Sequence, residues 1–272
     1  MTKQTYSFGW RQDKRDARDM LFKHVFRVKK INKHSDLSGE CSPVEDQGDL
    51  GSCVFNALVN LGEFLLLRYS SELVDLSRLF SYWNYRKLYA DVDEDTGATI
   101  RESIKVAVKY GLCRESLCPY DISKFRDKPS KDSYVDGKKH LVTGYQRLIT
   151  LDDIRACLSI GLPFSFGFDV YDSIYDADTT KTGVVKMPTR KNYVVGGHGV
   201  SAVGHDDDTQ LIKFKNSWGE SWGDHGYGYL PYAYFERKYA TDNWVIQTME
   251  SYEYCKACGL WMEKGAMQEA IA

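Results

Sequence analysis

Three short stretches of this chain carry residue types suited to nucleophilic chemistry. The first is Gln47-Gly48-Asp49-Leu50-Gly51-Ser52-Cys53, which opens an apolar, helically spaced run. A thiolate, not a thiol, is the nucleophile, and unpaired N–H groups at a helix start favour it. Gly51 and Ser52 supply a tight turn that brings backbone close to a bound substrate. The second is Gly196-Gly197-His198-Gly199-Val200, where small neighbours leave the imidazole open on one side. The third is Lys215-Asn216-Ser217-Trp218-Gly219, followed by Trp222-Gly223 and Gly226-Tyr227. An Asn carbonyl accepts from one ring nitrogen of a His and fixes its tautomer. A Trp beside that bond screens it from water. Taken singly, each has a plainer reading: a buried helix-start Cys, a satisfied His, a turn Asn with core Trp.

The elements around these residues follow from periodicity. Ala57, Leu58, Leu61 and Leu65 predict a helix from Cys53 to about Tyr69. A second helix is predicted from about Leu76 to Ala90. A third starts at Thr99, where Thr99 and Glu102 fit a capping box, and stops at Gly111. Thr150, Asp153 and Gly161 repeat this grammar around residues 150–160. Strand-like runs then dominate at 164–170, 193–204, 211–215, 227–230 and 244–249. A helical first part and a stranded second part predict an α+β chain of two lobes, 41–148 and 149–272, after an N-terminal strap over 1–40.

Composition bounds the function classes. The chain has 272 residues, 36 Lys plus Arg and 38 Asp plus Glu, a net charge of -2. That balance speaks against a general polyanion binder, so no nucleic-acid partner is expected. Residues 1–34 are locally basic, with ten Lys or Arg against three Asp, and read as a solvated or self-docking segment. The apolar run at Leu61–Leu67 is broken by Glu63, far short of a membrane span. Seven cysteines, an odd number, speak against a disulfide framework. With no signal-peptide pattern and no glycosylation sequon, the reading leans to a cytoplasmic or otherwise reducing compartment.

Together and in this order, the three motifs resemble a papain-like cysteine peptidase of the C1 family. In such enzymes a reactive Cys has its His and Asn roughly 130–150 residues downstream. Here the gap from Cys53 to His198 is 145 residues and from His198 to Asn216 is 18. The resemblance runs from about Gly9 to Tyr229. It includes Asp95-Thr96-Gly97-Ala98, Tyr110-Gly111 and Pro119-Tyr120, and is strongest to the bacterial and viral branch, through Gly9-Trp10…Asp13…Arg18-Asp19 and Asp46-Gln47-Gly48-x-Leu50-Gly51-Ser52-Cys53. It departs from the family at Leu50, where the papain/cathepsin group has a disulfide Cys, and at Val54, Ala98 and His205.

The resemblance implies a helical left lobe, a barrel-like right lobe and a cleft between them. It implies Cys53 as nucleophile paired as thiolate with a His198 imidazolium, Asn216 as orienter, and Gln47 with the Cys53 N–H as oxyanion hole. Substrate contacts are expected from Gly51, Ser52, Gly97, Ala98, Ile100, Gly197, Gly199 and Trp218. Ala98 runs along the substrate backbone, Ile100 and Gly199 line an apolar pocket for the second residue before the cut, and Trp218 borders the leaving-group side. The partner is a polypeptide, and no metal or cofactor is implied. Family members usually carry an inhibitory prosegment that is a sizeable helical domain, for which residues 1–40 are too short. Tyr6, Phe8 and Trp10 are nonetheless apolar anchors, and Met20, Phe22, Val25 and Phe26 can pack on the body. The segment is therefore expected ordered against the lobes and partly over or beside the cleft, against the plainer reading of an integral strap. Two rivals remain at this level: a retired binding module, and an exopeptidase, deamidating or acyl-transfer enzyme at the same site. Cys255 and Cys258, with Cys113 and Cys118, form half of a zinc pattern, with inert cysteines the commoner outcome. Asp206–Asp208 reads as a solvated hairpin turn.

Overall fold

The computed structural model describes residues 6–70, 73–249, 252–255 and 260–263. In chain order the helices are α1 (Phe22–Val25), α2 (Cys53–Ser70), α3 (Arg78–Tyr89), α4 (Ile100–Tyr110), α5 (Lys131–Gly137), α6 (Leu151–Ser159), α7 (Ala177–Thr182) and α8 (Tyr232–Glu236). The strands are β1 (His34–Asp36), β2 (Val142–Leu148), β3 (Phe164–Tyr171), β4 (Val194–Asp206), β5 (Leu211–Lys215), β6 (Tyr227–Pro231), β7 (Ala240–Met249), β8 (Tyr252–Cys255) and β9 (Leu260–Glu263). Strands β1 to β7 form one antiparallel sheet in the order β2-β7-β3-β4-β5-β6, with β1 added on β4. This is the α+β architecture expected, helices first and sheet after.

Helix α2 is buried on every face from Cys53 to Leu66, which explains its weak amphipathicity. Its polar residues are therefore partnered rather than solvated. Ser42 Oγ donates to Glu63 Oε2 at 2.5 Å, and Leu76 N donates to Glu63 Oε1 at 2.9 Å. Lys215 Nζ reaches across from β5 to Ser42 Oγ (2.8 Å) and Asn60 Oδ1 (2.7 Å). Burial pushes the Glu63 carboxyl up to about 7 and the Lys215 ammonium down. This dry network pins the helix that begins at Cys53 to the strand that ends beside Asn216.

Local signals behave as their chemistry dictates, with one exception. Thr150 and Asp153 form the full capping box of α6. Gly111 ends α4 at φ 74°, a conformation that favours glycine. Thr99 stands at the N-cap of α4 but makes no capping bond. Its hydroxyl donates instead to the Glu102 carboxylate at 2.8 Å, and its backbone N–H goes to Tyr85 Oη at 3.2 Å. Strands β1 and β2 add to the sheet on top of the expected runs: β2 pairs with β7 through register shifts around Gly144 that blur its alternation. The Asp206–Asp208 turn joins β4 to β5 but is only partly solvated, because Arg155 of α6 pairs with Asp207. Cys258 and the Cys255 side chain lie outside what is described, and Cys41, Cys53, Cys113, Cys118 and Cys157 are all free thiols.

Candidate active site

Cys53 is the first residue of α2, and His198 sits on β4, the strand against which α2 packs. Gly199 makes this approach possible: a Cβ there would lie 2.9 Å from Val54 Cγ2. Its backbone N–H donates to Cys53 Sγ at 3.4 Å. His198 Nε2 bonds Asn216 Oδ1 at 2.8 Å, leaving Nδ1 as the ring nitrogen without a hydrogen-bond partner. An Asn oxygen only accepts, so the proton of a neutral ring lies on Nε2 and Nδ1 is the basic atom. Trp218 stacks on the imidazole with centroids 4.3 Å apart and shields the His198–Asn216 bond.

Gln47 is held by its neighbours from three sides. Its Oε1 accepts from Ser217 Oγ at 2.6 Å, its carbonyl accepts from Tyr120 Oη at 2.9 Å, and its N–H donates to Ser217 O at 2.9 Å. Its amide nitrogen donates to Leu50 O (2.9 Å) and to Ser7 O (3.2 Å). Gly51 N–H is tied to Asp95 Oδ2 at 2.9 Å, whereas Ser52 is fully buried and bonded to Tyr120 Oη at 2.6 Å. Ile100 is also buried, at the start of α4. Gly197 and Gly199 occupy alternate positions on β4, the first under Trp10 and the second under Val54.

The groove between these residues is filled by the chain's own residues 6–11. Gly9 O accepts from Ala98 N (2.7 Å), Arg11 N donates to Ala98 O (2.8 Å), and Trp10 N donates to Gly197 O (2.9 Å). Tyr6 stacks on Trp218 at 4.2 Å and Phe8 meets His198 edge-on at 6.3 Å. A side chain at Gly9 would run into Gly51 O, so only glycine passes that point. Beyond the groove the segment is anchored. Asp13 N donates to Asp242 Oδ2 (2.7 Å), Trp244 Nε1 donates to Asp13 Oδ2 (2.7 Å), and Asp19 pairs with Arg101 (3.0 Å) and Arg147 (2.9 Å).

The plug changes the electrostatics expected from sequence. Cys53 and His198 are both completely buried. Burial pushes the Cys53 thiol up to about 11 and the His198 imidazolium down to about 4. Burial of both groups disfavours their charged forms, so it opposes the thiolate–imidazolium pair while the segment covers them. Signals for the plug lay in Tyr6, Phe8 and Trp10, aromatic anchors with Gly9 among them. Tyr120 and Ser217 stood in stretches the sequence marked, but their bonds to Gln47 were hidden, because 73 and 170 positions separate the partners.

Residues 30–254 match the model of the papain family cysteine proteases. An uncharacterized peptidase C1-like protein of Acanthamoeba polyphaga mimivirus is 37% identical over 270 residues, covering 89% of this chain and 86% of the viral protein. Cysteine proteinase 2 of Entamoeba histolytica is 28% identical over 203 residues, and the match spans 70% of this chain but only 59% of that protein. Among solved structures, xylellain, a cysteine protease from Xylella fastidiosa, superposes with a TM-score of 0.81 at 33% identity, covering 91% of this chain and 98% of that one. The fold, the order of the motifs and these likenesses agree: the chain belongs to the papain family of cysteine peptidases.

Proposed function

We propose that this chain is a thiol-dependent endopeptidase whose nucleophile is Cys53 and whose cleft is closed by residues 6–11. The observation that carries the reading is that an extended polypeptide lies through the groove and touches Gln47, Ala98, Gly197 and His198 at once. With the plug displaced, solvent reaches the pair and the Cys53 proton passes to His198 Nδ1. The thiolate attacks the scissile carbonyl carbon, and the oxyanion is held by Gln47 Nε2 and the Cys53 N–H. His198 gives its proton to the leaving amine, and water, activated by the same nitrogen, releases the acyl group. Asn216, bonded at Nε2, fixes the ring so that Nδ1 is the nitrogen left to exchange the proton. An apolar side chain two residues before the cut suits the groove wall.

The plug is not itself well placed for cleavage. The acyl side of a substrate lies along Ala98 and the leaving side along Trp218, so residue numbers must rise from Ala98 toward Trp218. In the plug they fall, from Trp10 at Ala98 to Tyr6 at Trp218. The five described cysteines, all free, support a reducing compartment. The test is hydrolysis of casein and of an internally quenched peptide by wild type and Cys53→Ala. The variant should retain the wild-type melting temperature and lose all turnover, and turnover that survives in a clean preparation would falsify the assignment.

A further inference from the structure

Resting on the peptidase reading, we propose that Arg78 is a positioning residue for the reaction, holding Tyr120 so that one phenol fixes both oxyanion donors, Gln47 Nε2 and the Cys53 N–H. Those donors stand at the two ends of the loop 47–53, and Tyr120 closes that loop from outside. Its Oη donates to Gln47 O at 2.9 Å and lies 2.6 Å from Ser52 Oγ, next to Cys53. A phenol has one proton and a carbonyl only accepts, so the Ser52 hydroxyl donates to Oη. Asn56 Nδ2 completes the chain by donating to Ser52 Oγ at 3.2 Å.

A phenol serves as a strut only if its own ring is fixed. Glu115 Oε1 accepts from Tyr120 N and from Arg78 Nη2, the latter at 3.1 Å. The Arg78 guanidinium lies over the Tyr120 ring, with Cζ 4.4 Å from the ring centroid. Its other arm, Nη1, pairs with Glu45 Oε2, two residues before Gln47. Arg78 thus joins the segment leading into Gln47 to the loop leading into Tyr120. Its own place is rigid. It is the first residue of α3, its side chain is 6% exposed, and Ser77 before it ties the helix start to the same loop, through N to Cys113 O (2.8 Å) and Oγ to Cys118 O (2.6 Å). Two carboxylates and a ring face engaged at once require a planar fork, which the point charge of a lysine matches only in part. A buried cation between carboxylates could serve the fold alone. What sets this one apart is that the ring it covers ends in the hydroxyl at Gln47 and Ser52.

The experiment compares wild type with Tyr120→Phe, Arg78→Lys and Arg78→Met in the full chain. It reads kcat and KM on one quenched peptide, affinity for a peptide aldehyde, and the rate at which iodoacetamide alkylates Cys53. The aldehyde adduct puts its oxygen where the oxyanion forms, whereas alkylation forms no oxyanion. Losing a whole oxyanion donor costs about 100-fold or more in kcat, so displacing both donors slightly should cost Tyr120→Phe about tenfold. KM and alkylation should change little, and aldehyde affinity should fall with kcat. Arg78→Lys should lie between wild type and Arg78→Met in kcat and in aldehyde affinity. Unchanged kcat in Tyr120→Phe and Arg78→Lys, or kcat, alkylation and melting temperature falling together in both, would overturn the inference. Should Arg78→Met fail to fold, the other two variants decide. If wild type cleaves no peptide, the peptidase reading is what fails. The positioning claim is then decided by amide exchange over residues 45–53, which should quicken in Tyr120→Phe and Arg78→Lys and would overturn it by matching wild type.

Discussion

Cys53 and His198 differ from an ordinary thiol and imidazole because of what covers them. With the Cys53 thiol pushed up to about 11 and completely buried, iodoacetamide reaches it only through plug opening. Cys53 should therefore alkylate slowly at neutral pH in wild type and several-fold faster in Trp10→Ala, read by peptide mass mapping. Equal rates would mean that the plug does not control access. The three motifs that meet in the cleft were legible in sequence, because a Gly-Ser-Cys helix start, a Gly-flanked His and an Asn-Ser-Trp run constrain chemistry locally. Their burial was not, because it depends on residues 6–11, about 45 and 190 positions away from Cys53 and His198.

The acid response follows from the Cys53–His198 pair and from the anchor behind the plug. In the closed state burial raises the Cys53 thiol to about 11 and lowers the His198 imidazolium to about 4, so the pair holds one proton near neutrality. In the opened cleft the same proton passes from Cys53 to His198, so opening takes up none from solvent and the pair leaves the equilibrium nearly level from pH 7 to pH 5. The Asp13 and Asp242 carboxyls, both raised chiefly by burial, tighten the anchor as they protonate. The prediction is that amide exchange at residues 6–11, corrected for its intrinsic pH dependence, does not quicken from pH 7 to pH 5. Exchange that quickens with acid would contradict this balance.

At the scale of elements, the decisive join is between α2 and β5. Lys215 is buried, and removing one partner from a buried charged network typically costs about 3–5 kcal/mol. Lys215→Met should lower the melting temperature and reduce kcat, since Asn216 follows directly in the chain, with the loss checked by thermal unfolding and peptide hydrolysis. An unchanged Tm would mean that Glu63, Ser42 and Asn60 are satisfied without it. Helix ends such as Gly111 and the Thr150–Asp153 box were legible, since a cap is a short-range bond. The Thr99 box was not, because Tyr85 from α3 competes for the Thr99 N–H. Strand β2 was hidden by its register shifts, and the close approach at Gly167 by the need to know that Trp10 lies on it.

At the scale of the whole molecule, the N-terminal segment divides at Asp13. Residues 6–11 lie in the cleft, whereas Asp13, Asp19 and Phe22 are built into the body through Trp244, Arg101, Arg147 and the core. A chain starting at Gln12 should hydrolyse a small peptide faster than the full chain with little change in Tm. A chain starting at Lys23 should lose stability and activity together, having lost the Asp13 and Asp19 pairs. If the first truncation also unfolds, the plug is part of the core and not a cover.

The central claim is that Cys53 is a peptidase nucleophile under a displaceable segment. Peptide mapping by mass spectrometry after treatment with a peptidyl vinyl sulfone tests it most directly, using wild type, Trp10→Ala and His198→Ala. The account predicts one adduct, on Cys53, formed faster in Trp10→Ala than in wild type and nearly absent in His198→Ala. Labelling spread over Cys41 or Cys118, or an adduct on Cys53 whose rate is unaffected by His198→Ala, would contradict it.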